Sequence, residues 1–379
     1  MRVVQIHTTY LEPGGEDLVV QRERELLMKN GHTVEPITFR NPEKPTEQAR
    51  NLALANWNRT SGRHVAEVLE AAPVDIVHVH NTWFTGSPSS VAAAHSHAPV
   101  VATLHNYRRN CLNAYLYRDD APCTDCVGRL PWKGVLRRCY RDSAPASVAI
   151  GIATGVNRKF RLVDRSVDLF LVLSDFAADL AEQSGVGRSQ IVRHDNFVPD
   201  LGPRLQPASD SETVLAIGRL SPEKGFLELV ESWNKRGPDG LKLMVVGDGP
   251  ERVRVEECAG PSVDVVGRKT PDEVAELMRS CRALLFPSRW FEGQPLVILE
   301  ALAAGLPVLS SDHPPLKEII GGAGQFVVAN GEWDEALSTT ADNAWLELAS
   351  SAARARYEER YSPEVALGRL ESIYRSVLR

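Results

Sequence analysis

Cysteine is scarce in this sequence, six residues in a chain of 379. No apolar run approaches the roughly 20 residues of a membrane-spanning helix. The first scarcity argues against a scaffold held by disulfides, and the second against a bundle of spanning helices. Positive charge is not in excess either. The formal net charge is −6, the opposite of what a general nucleic-acid binder carries. The opening residues, Met1-Arg2-Val3-Val4-Gln5-Ile6-His7, lack the apolar core of a secretory signal. The expectation is a cytoplasmic protein, touching the inner membrane face at most peripherally.

What is present is ordinary globular material, 43% hydrophobic and 24% charged residues, in a chain long enough for two cores. Short apolar runs alternate with helix-like segments. Val3–His7, Asp75–His80, Val100–His105 and Val167–Ser174 read as strands, with helices near Asp17–Lys29, Pro88–His97 and up to Ala181. This rhythm predicts a parallel sheet covered on both faces. Three prolines within 199–207 interrupt it, as an interdomain linker would. It restarts with strand candidates Val214–Gly218, Leu241–Gly247, Val263–Gly267, Ala283–Pro287, Pro307–Ser310 and Gln325–Ala329. Thr270, Pro271 and Glu273 sign a helix start near Asp272 as N-cap, first-turn proline and capping box. The fold class is therefore α/β, with two tandem doubly wound, Rossmann-like domains over 1–199 and 208–362. Ligands of such sheets bind beyond the carboxyl ends of the strands, so a cleft faced by both domains is the expected site.

Two stretches of the second half carry chemistry. Glu300 lies in an otherwise apolar helix behind Pro295, and Glu292 lies in the loop ahead of it. A carboxylate in such a helix needs donors; a structural ion pair or a ligand diol such as ribose would supply them. In Gly218-Arg219-Leu220-Ser221-Pro222-Glu223-Lys224-Gly225, Ser221 and Pro222 signal a helix start with Lys224 in its first turn. A cation there opposes the helix dipole unless an anion is bound. Two solvated surface cations are the alternative.

Together these residues resemble the retaining family 4 glycosyltransferases of the GT-B fold. The Gly218–Gly225 turn with Lys224, the Glu292-x7-Glu300 pair, Val245-Val246-Gly247-Asp248-Gly249-Pro250, Gly14-Gly15 after the first strand and His105 at the end of a later one occur in the family's order. The resemblance implies that Arg219 and Lys224 hold the donor diphosphate, that Glu292 faces the sugar and Glu300 the ribose, and that His105 lies beside the reacting sugar. It also implies donor contacts from Gly14, Gly15, Arg268, Gly293 and Gln294, and a final helix, 363–379, that packs back on the first domain. Many relatives have Gly-Phe-Gly where this chain has Gly293-Gln294-Pro295, so one backbone donor is missing at Pro295. Gln294 is expected to set a different sugar preference. Glu16 and Asp17, unusually acidic beside a diphosphate, are expected to point away from it or toward a polar or cationic acceptor. No Asp-x-Asp occurs in the chain. Its absence favours a metal-independent reaction with no required cofactor, in which front-face attack retains the anomeric configuration.

An insert over 106–143 carries Cys111, Cys123, Cys126 and Cys139. Structural zinc, free or buried thiols, and disulfides are all open readings. The insert and the segment after it are basic and aromatic (Arg129, Trp132, Lys133, Arg137, Arg138, Tyr140, Arg141, then Arg158, Lys159 and Arg161), which fits an anionic membrane surface as well as a solvated face. The expected function is transfer of a sugar from a UDP- or GDP-sugar to a glycan or lipid-linked acceptor in polysaccharide or glycolipid assembly. Decoration of a soluble small molecule, another GT-B activity and a non-catalytic nucleotide-sugar binder are the alternatives.

Overall fold

A computed structural model of the chain describes residues 1–10, 14–327 and 333–378. They fall into two compact α/β units. The first combines Met1–Leu116, Thr124–Asp195 and Leu367–Arg379; the second combines Tyr117–Cys123 and Asn196–Ala366.

The first unit is built on a parallel sheet of β1 (Arg2–Thr9), β2 (Thr33–Arg40), β3 (Ile76–Asn81), β4 (Val100–Leu104), β7 (Leu169–Val172) and β8 (Ile191–Arg193). β5 (Tyr117–Arg118) and β6 (Ala121–Pro122) form a small antiparallel hairpin in the second unit. The sheet order is β2-β1-β3-β4-β7-β8. The chain thus turns back on itself between β1 and β3. Successive strand residues face opposite sides, and both sides are covered. Val4, Ile6, Val77, Val79, Val100 and Ala102 belong to one apolar cluster. Val3, Ile76, Val101 and Leu171 pack on the other face against Leu27, Leu370, Ile373 and Tyr374. The last three residues come from the helix Pro363–Val377, so the end of the chain completes the core of its beginning.

The second unit repeats the plan with β9 (Thr213–Ile217), β10 (Lys242–Val246), β11 (Val263–Gly267), β12 (Leu284–Phe286), β13 (Val308–Ser311) and β14 (Gly324–Val327), in the order β11-β10-β9-β12-β13-β14. Its turning point lies between β9 and β12. The helix Leu296–Ala303 buries Ile298, Leu299, Ala301, Leu302 and Ala303 completely. The capping box of Thr270 and Glu273 forms as its sequence signs it.

Several elements depart from the sequence reading. β2 and β8 were not foreseen. β2 is an edge strand with Pro36 inside it and mostly exposed or half-buried residues, and β8 has three residues. Pro36 can sit there because an edge strand leaves one row of its backbone groups unpaired. Lys224 is not in the first turn of an α-helix: it ends a 3-10 turn, Pro222–Lys224, and the α-helix begins at Phe226. Gly225 separates the two with φ +70°, and a Cβ on it would meet Pro287 O at 2.3 Å. The close approach of the loop after β12 leaves no room for a Cβ, and the left-handed break is one that only glycine adopts freely. Pro295 is the N-cap of its helix and not a first-turn residue. β14 covers the described part of the strand expected at Gln325–Ala329; residues 328 and 329 lie outside the described residues.

Candidate active site

In the second unit the strand ends at the turning point bring together two of the four expected catalytic residues. Lys224, in the loop after β9, places Nζ 2.6 Å from Oε1 of Glu292, in the loop after β12. The same oxygen accepts the hydroxyl of Ser288 at 2.6 Å. Glu292 is buried, and the Lys224 ammonium also lies 5.2 Å from the centroid of the Trp290 ring. His313, after β13, donates through Nε2 to Ser288 O at 3.1 Å. Its burial pushes its pKa below the usual histidine range, so it is a neutral donor bracing the loop. Ser288, Trp290 and His313 were not picked out from the sequence.

Arg219 is exposed immediately beyond β9, and Arg268 beyond β11 is 81% exposed, with Nε 3.7 Å from Asp248 Oδ2. Both guanidiniums therefore stand at the carboxyl edge of the sheet that carries Lys224. Glu300 is half-buried, and Gly293 lies in the loop beside Glu292. Gln294 is buried, and its side-chain oxygen accepts Asn196 N at 2.5 Å. That atom ties down the irregular segment that begins at Asn196, a structural duty not expected from the sequence.

The first unit gathers its polar residues on one sheet face. Along β1 the residues facing the C-terminal helix run Val3, Gln5, His7; along β3, Ile76, His78, His80; along and just past β4, Val101, Thr103, His105. Each series passes from apolar to polar toward the carboxyl end. Gln5, His7, His78, His80 and Thr103 are all buried, and so is Glu23 on the helix Gly15–Lys29. His105 Nε2 lies 3.0 Å from His80 Nδ1. Burial, reinforced by repulsion from neighbouring histidines, holds the His105 pKa well below the ordinary value. A cavity of about 140 Å³ opens here, lined by His80, Asn81, Trp83, His105, Asn106 and Arg108 among others.

Gly14 and Gly15 are exposed at the N-terminus of the helix Gly15–Lys29, within the turn after β1. The two carboxylates beside them turn into the protein. Asp17 accepts Gly14 N through Oδ2 at 2.8 Å, and His7 Nε2 lies 2.8 Å from its Oδ1. Glu16 accepts Tyr10 OH at 2.8 Å and Asn106 Nδ2 at 3.4 Å. Burial pushes the Glu16 pKa up to about 7.

The four cysteines of the insert are each half-buried and free of disulfides. Among the described residues they form no group within reach of a single metal ion; Glu23, His78 and His80 do. The Cys111 thiol is held protonated chiefly by burial, and its Sγ lies 2.9 Å from Asn113 Oδ1.

The sequence matches two family models in tandem, "Glycosyltransferase Family 4" over residues 13–200 and "Glycosyl transferases group 1" over residues 201–359. The chain belongs to the family 4-like glycosyltransferases of the GT-B fold. This glycosyltransferase is 24% identical over 396 aligned positions to the phosphatidyl-myo-inositol mannosyltransferase of Mycobacterium tuberculosis, covering 96% of this chain and 94% of that one. A Bacillus subtilis glycosyltransferase named for teichuronic acid biosynthesis is 23% identical, over 77% of this chain and 64% of its own length. The amylovoran biosynthesis glycosyltransferase AmsD of Erwinia amylovora is 33% identical over 28% of this chain and 30% of its own. The aligned part thus falls short of two thirds of either of these last two. Among solved structures, HepE of Anabaena with UDP matches with a TM-score of 0.67 at 15% identity, over 99% of this chain and 100% of HepE. Sucrose-phosphate synthase of Thermosynechococcus elongatus matches with 0.70 at 16% identity, over 99% and 98%. At such identity these two establish the fold of the glycosyltransferase and nothing finer.

Proposed function

We propose that this glycosyltransferase moves a hexose from a UDP- or GDP-sugar to a glycan acceptor with retention of configuration, in the assembly of a cell-surface polysaccharide or glycolipid. The observation that carries the reading is the Lys224–Glu292 pair at the turning point of the second sheet, with Arg219 exposed earlier in the loop that carries Lys224. In open α/β sheets that crevice is where ligands bind. Arg219 and Lys224 supply positive charge where a departing nucleoside diphosphate becomes more negative, a fixed electrostatic stabilisation of the leaving group. In the bound state Lys224 exchanges part of its contact with Glu292 for phosphate oxygens, and Glu292 is freed toward sugar hydroxyls. Glu300 takes the ribose hydroxyls, Arg268 and Gly293 line the donor, and Gly14 and Gly15 admit it closely. His105 is assigned to the reacting sugar. With two cations assigned to the diphosphate and no Asp-x-Asp in the chain, the reaction proceeds without a divalent metal. The names of the relatives, a UDP complex, a phosphatidylinositol mannosyltransferase and enzymes of polysaccharide synthesis, support the donor and acceptor classes.

The acceptor is lipid-linked in this reading, because the basic insert is also openly apolar. Leu136 is 82% exposed and Trp132 60%, and Leu130, Val148, Ile152 and Phe160 are exposed near them. Leu130 and Val135 pack against the helix Ala144–Phe160, where a Cβ at Gly151 would meet Val135 Cγ2 at 2.5 Å. Among the described residues no helix is long and apolar enough to cross a membrane, so attachment is peripheral. Vesicles rich in phosphatidylglycerol should sediment the protein, and Trp132→Asp with Leu136→Asp should abolish this; no sedimentation would favour a soluble acceptor.

The reading as a whole is tested with a panel of UDP-, GDP-, ADP- and dTDP-sugars in EDTA. Slow hydrolysis or transfer from one donor, yielding the anomer of the donor and lost in Lys224→Ala, is expected. Activity that needs an added divalent ion, or an inverted product, would overturn it.

A further inference from the structure

Three histidines and one glutamate in the first unit form a chain of contacts in which only His105 has an assigned role. Glu23 Oε1 accepts Gln5 Nε2 at 2.9 Å and lies 2.9 Å from His78 Nδ1 and 3.3 Å from His80 Nε2. The last contact is one of distance alone, since His80 Nε2 makes no hydrogen bond to a described residue. On the far side of its ring, His80 Nδ1 meets His105 Nε2 at 3.0 Å, and the two rings stack with centroids 5.3 Å apart. His78 Nε2 is 2.8 Å from Thr103 Oγ1.

The proton positions follow from these partners. Burial opposes ionisation of Glu23, yet the hydrogen-bond donors turned toward it from His78, His80 and Gln5 hold its pKa below the ordinary carboxylate value, and a carboxylate only accepts. A bare lone pair turned to a carboxylate is repelled, so the nearest ring nitrogens, His78 Nδ1 and His80 Nε2, carry the protons; His78 Nδ1 also meets Tyr374 OH at 2.8 Å. A neutral ring has one N–H, and burial in company with other histidines holds His80 neutral, its pKa lowered to about 4. His80 Nδ1 is thus a bare acceptor, and the proton in the His80–His105 contact belongs to His105 Nε2. His105 Nδ1 is then left with its lone pair, and it makes no hydrogen bond to any described residue.

We propose that Glu23 and His80 are positioning residues that fix His105 as its Nε2–H tautomer, so that its Nδ1 can accept only a donated hydrogen, from a sugar hydroxyl. This deepens the function proposed above and rests on it, because His105 is placed beside the sugar there. It also sets a specificity. A lone pair at this point receives a hydroxyl and repels a carboxylate, so the sugar bound against His105 is a neutral one with a free hydroxyl and not a uronic acid at that carbon. The orienting logic is that of any imidazole whose second nitrogen is held by a fixed partner.

Glu23, His78 and His80 also place three ligand atoms within 4.8 Å of one another, close enough for one metal ion. Their proton inventory favours hydrogen bonding. Glu23 Oε1 already receives Gln5, His78 Nδ1 lies against both Glu23 and Tyr374 OH, and His78 Nε2 is engaged with Thr103; an ion would have to displace these.

The test needs no donor or acceptor. The full chain is labelled with 15N-histidine, and the His105 ring is read by two-bond proton–nitrogen correlation at neutral pH, assigned by its loss in His105→Gln. Expected is a protonated Nε2 and an unprotonated Nδ1 in the wild type, and a mixture of tautomers in Glu23→Leu and His80→Leu. His80→Asn, which keeps an oxygen near the position of Nδ1, should restore the wild-type pattern. If Glu23→Leu fails to fold, the two His80 variants carry the comparison. A protonated Nδ1 in the wild type, or a pattern unchanged in His80→Leu, overturns the proposal. So does stoichiometric uptake of zinc that shifts His78 and His80. With a donor in hand, His80→Leu should lower kcat about tenfold with little change in KM. An intact tautomer pattern in a protein that hydrolyses no donor would leave the relay standing and count against the function alone.

Discussion

Glu16 offers a stability measurement whose sign is fixed by its surroundings. Its side chain is 9% exposed and accepts from Tyr10 and Asn106. Burial raises its pKa from the ordinary 4.5 to about 7. The folded protein therefore holds this proton over a range in which the unfolded chain has released it. Stability from this group is fully present below the unfolded value and is lost as pH rises through the folded one. At about 1.4 kcal/mol per pKa unit, the buried carboxylate costs about 3 kcal/mol once ionised. Glu16→Gln keeps the acceptor oxygen and removes the ionisation. Denaturant unfolding of wild type and variant should give nearly equal stabilities near pH 5. Near pH 8 the variant should be more stable, by up to about 3 kcal/mol. Taking the difference between the two proteins at each pH cancels every other titrating group. A difference that does not grow with pH would refute the burial argument for Glu16.

Other consequences are equally direct. Lys224→Ala strands the buried carboxylate of Glu292 and should cost about 3 kcal/mol by unfolding, while Lys224→Ala with Glu292→Ala should recover most of that stability and none of the activity. Gly225→Ala has to relieve a 2.3 Å clash with Pro287 O at φ +70°, so a loss of about 2 kcal/mol and of donor turnover is expected, read by thermal unfolding and the hydrolysis assay. Tyr374 is completely buried and meets His78 Nδ1 at 2.8 Å; Tyr374→Ala should cost about 3–5 kcal/mol and Tyr374→Phe about 1 kcal/mol in denaturant titrations.

The architecture was legible because parallel strands buried on both faces read as apolar runs: β1, β3, β4, β9 and β10 fall where the runs do. β2 escaped because an edge strand needs no such run and tolerates Pro36. Lys224 and Glu292 were picked out by their place in a family-like pattern, and the first-turn argument offered for Lys224 failed, because Gly225 ends a 3-10 turn before the α-helix begins. Glu23 looked like an ordinary polar position on an amphipathic helix, and its meaning depends on strands that only the fold brings beside it. His78 and His80 did leave a signal, since two histidines alternating along an apolar strand must share a face. Gln294 shows the reverse failure: a position tied by resemblance to the ligand turns its side-chain oxygen toward the backbone of Asn196, a contact no local pattern announces.

The helix that ends the chain has a bearing on how the protein is made. Leu370, Ile373 and Tyr374 complete a core begun by Val3, Leu27 and Ile76, and His32 meets Glu371 across 339 positions of sequence. On the ribosome the first unit is translated first, yet it cannot close until its last residues emerge. The second unit, all of whose strands precede that helix, can assemble meanwhile. Synthesis therefore runs from the amino end while completion of folding runs the other way, and a chain stalled near position 366 would expose the underside of its first sheet to chaperones or to its neighbours.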